Sequence, residues 1–341
     1  MTVIDRRAVG QGATQASAGV LAPLIGAHGN RALVDLGLRS LKLFDEFVAR
    51  VVKDSGSAVQ YVRSGTLEVA MNSTALGQLQ ALSRTCSAHG VNAEYLDAKS
   101  VHEAEPQLSE NIRGGLLVGT HGFVGAIDLT SALRRAAGAH GATFATTSAA
   151  VRIVATNGSL RVETAGELVE CDAIVLAAGS WSGQVEVEGE APLPIRPVRG
   201  QLLRLRWPAA PLKRVVWSEQ CYLVPWSDGS VLSGATLEEV GFDERATMAG
   251  MRQLFDATMK LMPQAREAWF QDVRVGLRPR TPDDIPVIGP SPRLPGLVYA
   301  TGHFRSGILL APLTASLVCD LILDQKHDPV FEQTSPARFD N

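Results

Sequence analysis

Two arginines stand in glycine-rich surroundings near the carboxyl end of the chain. Arg305 lies in the segment 302–312, GHFRSGILLAP, and Arg278 lies in the short run GLRP. The 302–312 segment follows an apolar run and opens an apolar helix, so its backbone N–H groups would favour an electron-rich group. A solvated surface charge is the ordinary role of an arginine. The apolar and glycine neighbours of this pair favour a functional role instead.

An acidic residue and a small-residue turn are two further signals. Asp5 ends a short apolar strand, the position from which a dinucleotide fold presents a carboxylate to a ribose hydroxyl. Many strands end in Asp, and the Gly/Ala/Ser/Thr-rich stretch that follows has the composition of a flexible tail as well as of a ligand-binding loop. Ala177-Ala178-Gly179 follows another apolar strand, where small residues either let backbone approach a ligand or make a simple turn.

The glycine fingerprint G-x-G-x-x-G should precede such an acid by about twenty residues. The sequence does not contain it. We therefore expect the first strand and the phosphate-binding helix of a dinucleotide fold to be missing from this chain. A start codon placed inside a strand would explain this, and the DNA upstream of the first codon would test it.

The remaining candidates favour ordinary structural roles. Surface or capping roles are expected for the histidines at positions 28, 89, 102, 121, 140 and 327. The four cysteines, at positions 86, 171, 221 and 319, have no metal-ligand spacing, and we expect them to be reduced and mostly buried. No metal site is predicted. Trp181, Trp217 and Trp226 are expected to be core or sheet-face aromatics.

Hydrophobic periodicity predicts the elements that position these residues. Helices are predicted at 30–53, 74–89, 97–106, 128–140, 246–262 and 307–323. Strands or extended segments are predicted at 2–5, 61–71, 112–124, 151–154, 160–164, 168–170, 173–176, 192–236, 270–286 and 297–301. We expect Asp128 to be an N-cap, 112–124 to form a hairpin, and 173–176 to be buried on both faces.

The order of the elements predicts the fold class. Buried strands with βα connections occur at the beginning, middle and end, and two β-rich blocks, roughly 55–125 and 188–271, interrupt them. This order is typical of an α/β nucleotide-binding core that carries an inserted antiparallel sheet.

Composition excludes several classes of protein. The 341 residues are 45% hydrophobic and 20% charged, an ordinary soluble balance. The net charge of −3 argues against nonspecific nucleic-acid binding. The first ten residues do not resemble a signal peptide, and no apolar run is expected to reach the length of a membrane span. We expect a cytoplasmic protein.

Six stretches carry a family resemblance, and they are collinear over nearly the whole chain: DRRAVGQGATQASAGVLAP, AIVLAAGSWSG, PVRGQLLRL, CYLVPWSDGSVLSGATLEEVGFDE, GLRPRTPDDIPVIGP and YATGHFRSGILLAPLTASL. Together they resemble the glycine oxidase branch of the D-amino-acid oxidase family of FAD-dependent oxidoreductases. The resemblance is specific for the family and less specific for glycine as the substrate.

The resemblance implies a role for each matched position. Arg278 matches the arginine that pairs with the substrate carboxylate, Tyr222 matches a tyrosine that assists it, and Arg305 matches a further substrate-side arginine. No catalytic side chain is predicted, and FAD is expected to bind noncovalently. The positions expected to contact FAD are Asp5 at the ribose, Arg6, Ala13, Thr14, Ala18, Gly19, Val20, Val151 at the adenine side, Ala178, Gly179, His303, Phe304, Arg305, Ser306, Gly307, Ile308 and Leu309.

The implied organisation is a discontinuous FAD-binding domain, a substrate domain and a polar tail. The FAD-binding domain, Rossmann-like and incomplete at its N-terminus, comprises 1–54, 128–187 and 272–330. The substrate domain comprises 55–127 and 188–271, and the tail is 331–341. Without the phosphate-binding unit, the chain is expected to hold FAD poorly.

The implied activity is oxidative deamination of glycine or a small amine or D-amino acid, with O2 as acceptor and an imino acid and hydrogen peroxide as products. Thiazole synthesis for thiamine is its expected setting. D-amino-acid dehydrogenases and sarcosine oxidases are alternatives within the same resemblance. A non-enzymatic, truncated remnant is the alternative from a different class, and the intact Tyr222, Arg278 and Arg305 argue against it. The sequence does not determine the oligomeric state, and a homo-oligomer is compatible with it.

Overall fold

The computed structural model describes residues 1–26, 30–146, 148–156, 158–206 and 212–339, so the surface role predicted for His28 lies outside the described residues. The strands are β1 Thr2–Asp5, β2 Val20–Leu21, β3 Tyr61–Val62, β4 Thr66–Ala70, β5 Glu94–Asp97, β6 Gly114–Val118, β7 Gly122–Val124, β8 Thr143–Thr146, β9 Ala150–Thr156, β10 Ser159–Thr164, β11 Leu168–Cys171, β12 Ile174–Leu176, β13 Glu186–Val187, β14 Arg196–Arg206, β15 Val215–Trp217, β16 Tyr222–Pro225, β17 Ser230–Gly234, β18 Trp269–Arg280, β19 Val287–Pro290 and β20 Leu297–Thr301.

The helices follow the predicted periodicity closely. They are α1 Pro23–Gly26, α2 Arg31–Ser55, α3 Ser73–Ala88, α4 Ala98–Ala104, α5 Ala126–Ala139, α6 Met248–Leu261, α7 Gly307–Asp324 and α8 Val330–Thr334. Short 3₁₀ helices are Ala13–Ala16, Gly179–Gln184, Pro263–Glu267 and Pro336–Phe339. The long helix α2 begins at the N-cap Asn30, whose side chain accepts a hydrogen bond from the Leu33 N–H, and ends at Gly56 in the left-handed conformation.

An eight-stranded sheet dominates the structure, with the strand order β18-β14-β17-β16-β15-β4-β6-β5. Neighbouring strands are antiparallel except β15 and β4, which are parallel, so the predicted antiparallel sheet contains one parallel pair. One face packs against α6 and α4 in an apolar core. The opposite face carries a smaller apolar cluster around Leu202, Val224 and Leu232, and beside it lies the candidate site.

Parallel pairing characterises the other part of the fold. β1 pairs with β8, and β12 pairs with β20, in two separate sheets. β19 adds to β20 in the antiparallel sense, and the predicted meander forms from β9, β10 and β11. Helix α7 follows β20 after a short loop and packs against α2, which brings its first residues to the end of the parallel strands.

Three local predictions are wrong, each because tertiary pairing or helix geometry differs. The segment 112–124 is not a hairpin: β6 joins the large sheet, whereas β7 pairs with β2 and β3. Asp128 lies in the first turn of α5, which begins two residues earlier, after the N-cap Gly125. Val175 is 42% exposed because side chains alternate along β12, so that Ile174 and Leu176 face the core and Val175 points to the opposite face.

Some predictions about single polar residues also fail. His121 is fully buried, neither ring nitrogen has a hydrogen-bond partner among the described residues, and burial lowers the pKa of its imidazole to about 3. All four cysteines are free, but Cys319 is exposed and Cys171 is half-buried. By contrast, His89 and His102 bond the carbonyl oxygens of Thr85 and Ala98, four residues earlier in their helices.

Helix α7 is 18 residues long and, by length and composition alone, apolar enough to cross a membrane. The expectation that no apolar run reaches this length is therefore wrong for this segment. Eight of its residues are buried, and five of these pack with Leu36, Ile288 and Val298 in one apolar cluster. One such helix is weak evidence for a membrane span, since the core helix of a soluble protein passes the same test.

Candidate functional site

A cavity of about 1130 Å³ lies where the large sheet meets the beginning of α7. Its walls are the segment 13–20, the strand ends of β16, β17 and β18, and the segment 300–309. Ligand cavities in proteins usually have about 300–1,000 Å³. This one therefore has room for a large ligand, or for a cofactor and a small substrate together.

Arg278 lies on β18 and reaches the cavity across the neighbouring strand β14. Its Nη1 donates a hydrogen bond to the main-chain oxygen of Thr236, at 3.1 Å. The guanidinium lies directly over Gly200, where a Cβ atom would stand only 2.2 Å from Nη1. Burial lowers the pKa of Arg278, while Tyr222 and Glu238 oppose that effect. An arginine starts from a pKa high enough to stay charged at neutral pH.

Tyr222 begins β16 and lies beside Arg278. The two side chains are hydrogen-bonded, and burial raises the pKa of the Tyr222 phenol although Arg278 and Arg305 lower it. The phenol packs over Gly234, where a Cβ atom would lie 2.6 Å from the hydroxyl oxygen. The Trp217 ring packs against its other side, with ring centroids 4.8 Å apart. The phenol is therefore neutral at physiological pH and can donate its proton in a hydrogen bond.

Arg305 approaches the same cavity from the loop before α7. It is partly exposed, and its pKa is lowered by burial first and then by the nearby charge of Arg278. The ring of Phe304, whose φ of 47° is unusual for a non-glycine residue, lies between the guanidinium groups of Arg280 and Arg305, at 5.1 and 5.2 Å. Asp284 and Glu239 bond Arg280 on its outer side.

The N-terminus of α7 forms another wall. Residues 303–309 line the cavity, and Ser306, the N-cap residue, makes no side-chain capping bond. His303 bonds Thr314 through Nε2 at 3.0 Å, and burial lowers its pKa to about 4, so its imidazole is neutral at neutral pH. The positive end of the helix dipole therefore faces the cavity, and the neutral His303 adds no positive charge beside it.

Bare backbone on two sides of the cavity fits a flat, aromatic cofactor. A Cβ atom on Gly307 would meet only His303, at an ordinary 3.7 Å, and one on Gly179 would meet nothing within 4 Å. Ala13, Thr14 and Ala18 add further small side chains to the wall. Packing within the protein does not require glycine at 307, whereas Gly302, at φ 72° and close to Thr281, is required by the turn. The residues present therefore fit the ring system of a flavin.

The cavity includes most of the predicted positions. It is lined by Ala13, Thr14, Ala18, Gly19, Val20, Gly179, Tyr222, Arg278 and His303 to Leu309. Four predicted cofactor positions do not line it. Asp5, the last residue of β1, is exposed, as is Arg6 after it. Val151 is 49% exposed on β9, and Ala178 packs against a core cluster. Their roles stay predictions.

Sequence reasoning missed the residues that hold Arg278 and Tyr222 in place. These are Gly200, Gly234, Trp217 and Thr236. Gly200 and Gly234 lie within the stretches PVRGQLLRL and VLSGAT, which carry the resemblance, but only strand register shows what they face. In the described ranges, no group of three or more His, Cys, Asp or Glu side chains has the geometry of a metal site.

The fold and the cavity define a class of protein, in which a parallel-strand core and an inserted sheet enclose a large cavity lined by an arginine. The family model described as FAD dependent oxidoreductase matches residues 1–321. The chain belongs to this family of FAD-dependent oxidoreductases, so the family and the fold class expected from the sequence are confirmed.

Individual relatives support this placement. The chain is 34% identical to the bifunctional protein ThiO/ThiG of Synechocystis sp. over 99% of the chain and 50% of that protein. It is 29% identical to a glycine oxidase of Geobacillus kaustophilus over 94% of the chain and 86% of that protein. The crystal structure of glycine oxidase from Geobacillus kaustophilus superimposes with a TM-score of 0.94, covering 99% of this chain and 91% of that one, at 29% identity. The chain spans about half the length of the bifunctional relatives it matches.

Proposed function

We propose that this chain is an FAD-dependent oxidase of glycine or another small amine or D-amino acid. The observation that carries the proposal is the hydrogen-bonded pair of Arg278 and Tyr222 in a cavity whose other walls are bare backbone and small side chains. A planar guanidinium suits a carboxylate in a two-bond arrangement, and a neutral phenol adds a third donor. The similarity to glycine oxidases over most of both chains supports the same activity.

The cofactor would be held by the segments that line the cavity opposite Arg278. We assign the flavin end to Gly179, to residues 13–20 and to the loop and helix start at 303–309, and the ribose and adenine side to Asp5, Arg6 and Val151. When bound, FAD supplies the acceptor for the hydrogen and electrons that leave the substrate's α-carbon, and O2 re-oxidises it with hydrogen peroxide as the product. Binding is proposed to be noncovalent.

The protein's own side chains would bind and orient the substrate. Arg278 and Tyr222 would hold its carboxylate, which fixes the direction in which the α-carbon points. Arg305 would add positive charge at the same end. Trp217 covers the outer side of Tyr222 and reduces the access of water to the pair. No side chain is assigned as a general base, since an amine that arrives neutral needs none.

The setting of the reaction is part of the proposal. The match to one half of bifunctional ThiO/ThiG proteins supports a role in thiazole synthesis for thiamine, and we propose a cytoplasmic location. We also propose the division into a discontinuous FAD-binding domain and a substrate domain. Seven of the eight strands of the large sheet lie within 55–127 and 188–271, and β18 continues across the boundary to Arg280. A non-enzymatic remnant is not favoured by relatives that match the whole chain.

A substrate panel tests the activity and separates it from its nearest alternatives. Purified protein with added FAD is assayed for hydrogen peroxide with glycine, sarcosine and D-alanine. Preference for glycine is expected. Preference for sarcosine, or turnover only with a quinone acceptor and without peroxide, would contradict the glycine oxidase assignment and support one of the alternatives.

Substitution of the arginine tests the site. Arg278→Ala should raise the KM for the amino acid by more than about a hundredfold, because two hydrogen bonds to a charged group are lost, each of about 1.5–3 kcal/mol. Arg161→Ala, which removes an arginine on β10 that pairs with Glu170, is the matched control and should leave KM unchanged. An unchanged KM in the Arg278 variant would refute the assignment.

A further inference from the structure

A buried polar cluster lies behind the cavity wall, on the far side of Thr236 from the substrate arginine. Arg199 of β14 is only 4% exposed, and its Nη2 bonds the carboxylate of Glu238 at 2.5 Å. The other oxygen of that carboxylate accepts hydrogen bonds from Gln201 Nε2 at 2.7 Å and from Thr236 Oγ1 at 2.6 Å. Glu238 itself does not line the cavity, although Thr236 and Leu237 do.

These hydrogen bonds determine where Thr236 lies. The ladder between β14 and β17 ends at the pair Leu202 and Gly234, so Thr236 is beyond the regular sheet. Gln201 bonds it twice, accepting from the Thr236 N–H at 3.1 Å and donating its own N–H to Thr236 Oγ1 at 2.9 Å. Glu238 accepts the hydroxyl proton of Thr236 in turn. The main-chain oxygen of Thr236 then accepts the hydrogen bond from Arg278 at 3.1 Å.

Neutralising the charge of Arg199 does not by itself explain why an acid stands at position 238. Arg199 has a second carboxylate partner, Asp243, at 3.3 Å, and it also bonds the main-chain oxygens of Asp243 and Arg245. Arg199 would keep these acceptors without Glu238, so pairing the buried charge does not by itself require a second acid here. Glu238 differs from Asp243 in that its carboxylate bonds Thr236 and Gln201, and its main chain pairs with Arg199. Of these contacts, the one with Thr236 leads to Arg278.

We propose that Glu238 is a positioning residue for Arg278, which it orients through Thr236. The proposal rests on the proposed function, since it assigns Arg278 to the substrate carboxylate. Glu238 touches neither the substrate position nor the cavity. It holds the hydroxyl of Thr236, and thereby holds the carbonyl oxygen against which one nitrogen of the guanidinium is anchored. The remaining N–H groups of the two Nη atoms are then aimed at the carboxylate.

The test compares two neutral substitutions of the acids that share Arg199. Glu238→Gln leaves one acceptor oxygen where the carboxylate has two, and the buried charge of Arg199 should take that oxygen, so the Thr236 hydroxyl loses its partner. The KM for glycine should then rise by roughly ten- to a hundredfold, since the guanidinium of Arg278 loses its anchored direction. The same loss should appear in the affinity for acetate, an unreactive carboxylate, measured by calorimetric titration. Asp243→Asn removes the other acid on Arg199 and leaves Thr236 untouched, so its KM and acetate affinity should equal those of the unaltered protein.

A double-variant cycle separates positioning from a merely structural role. In the Arg278→Ala background, Glu238→Gln should cause no further rise in KM, whereas a general loosening of the fold would add to it. Thr236→Val removes the hydroxyl, and with it the hydrogen bonds to the Glu238 carboxylate and from the Gln201 N–H, while Glu238 and Arg199 keep their charges. It should reproduce the effect of Glu238→Gln, and it is the deciding variant if Glu238→Gln does not fold.

The outcomes distinguish this proposal from the function on which it rests. A Glu238→Gln protein that folds and keeps its KM and acetate affinity, while Arg278→Ala loses both, overturns the positioning role alone. If Thr236→Val serves as the deciding variant, unchanged values for it overturn the role in the same way. If Arg278→Ala also changes nothing, the proposed function fails first, and the role of Glu238 fails with it.

Discussion

Gly200 lies beneath the guanidinium of Arg278. Replacing Gly200 with alanine should displace the guanidinium by steric contact while Arg278 itself stays unchanged. The new Cβ would stand 2.2, 2.3 and 2.4 Å from Nη1, Nη2 and Cζ. Carbon and nitrogen atoms in ordinary contact lie about 3.5–4.0 Å apart. The guanidinium must therefore withdraw by more than about 1 Å, and it can do so because it is the far end of a flexible side chain.

Gly200→Ala should lower kcat/KM and leave the stability of the fold nearly unchanged. A displacement of about 1 Å of a positioning group costs about a hundredfold, and this corresponds to about 2.7 kcal/mol in kcat/KM at 1.36 kcal/mol for each tenfold step. The free energy of unfolding should change by less than about 1 kcal/mol, since alanine suits a strand better than glycine does. We therefore expect Gly200→Ala to fold, to retain its capacity for FAD and to lose about a hundredfold in kcat/KM for glycine.

The assay is peroxide formation over a range of glycine concentrations, with urea unfolding measured in parallel. Gly77→Ala is the matched control, because a Cβ atom there meets nothing within 4 Å and should slightly stabilise helix α3. A Gly200→Ala protein whose kcat/KM stays within twofold of the unaltered protein would refute the reasoning. It would mean that Arg278 does not act from the position it occupies here.

Three further predictions address the hydroxyl, the cofactor wall and a buried acid. Tyr222→Phe should raise the KM for glycine by about tenfold or more, as one hydrogen bond to the carboxylate is lost, while Trp217 keeps the ring in place; an unchanged KM would remove Tyr222 from the site. Gly307→Leu should lower the FAD bound per folded molecule with little loss of stability, whereas Gly302→Ala, at φ 72°, should lower stability and leave FAD content unchanged; the reverse pattern would contradict the cofactor assignment. Burial raises the pKa of Glu68 from 4.5 to about 7, so its contribution to stability is complete below pH 4.5 and is lost as the pH rises to about 7. Relative to the unaltered protein, Glu68→Gln should gain up to about 3 kcal/mol in the free energy of unfolding between pH 4.5 and 8, and a pH-independent difference would count against the shifted pKa. The quantity to compare is the difference in the free energy of unfolding between the two proteins at each pH. His121 is present in both, and because its pKa is lowered, its own contribution to stability is lost as the pH falls below 6.5.

Much of this protein follows from its sequence. Hydrophobic periodicity is a local property, and it locates helices such as α2 and α7 to within one or two residues. Collinear motifs over nearly the whole chain indicate the family, and they single out Arg278 and Tyr222 as substrate-side residues. Both line the same cavity, although three further elements separate them in the chain.

The tertiary structure alone decided which residues hold that pair. Gly200 faces Arg278 because β14 and β18 pair with Gly200 opposite Gly276, and Gly234 faces Tyr222 because β16 and β17 pair at those two residues. A one-residue change of register would turn each side chain to the other face of the sheet, and no local pattern records the register. The same reason explains why 112–124 divides between two sheets and why Glu238 reaches Arg199. Contacts between residues that are distant in the chain are determined by the packing of the whole sheet, whereas local periodicity determines only the elements.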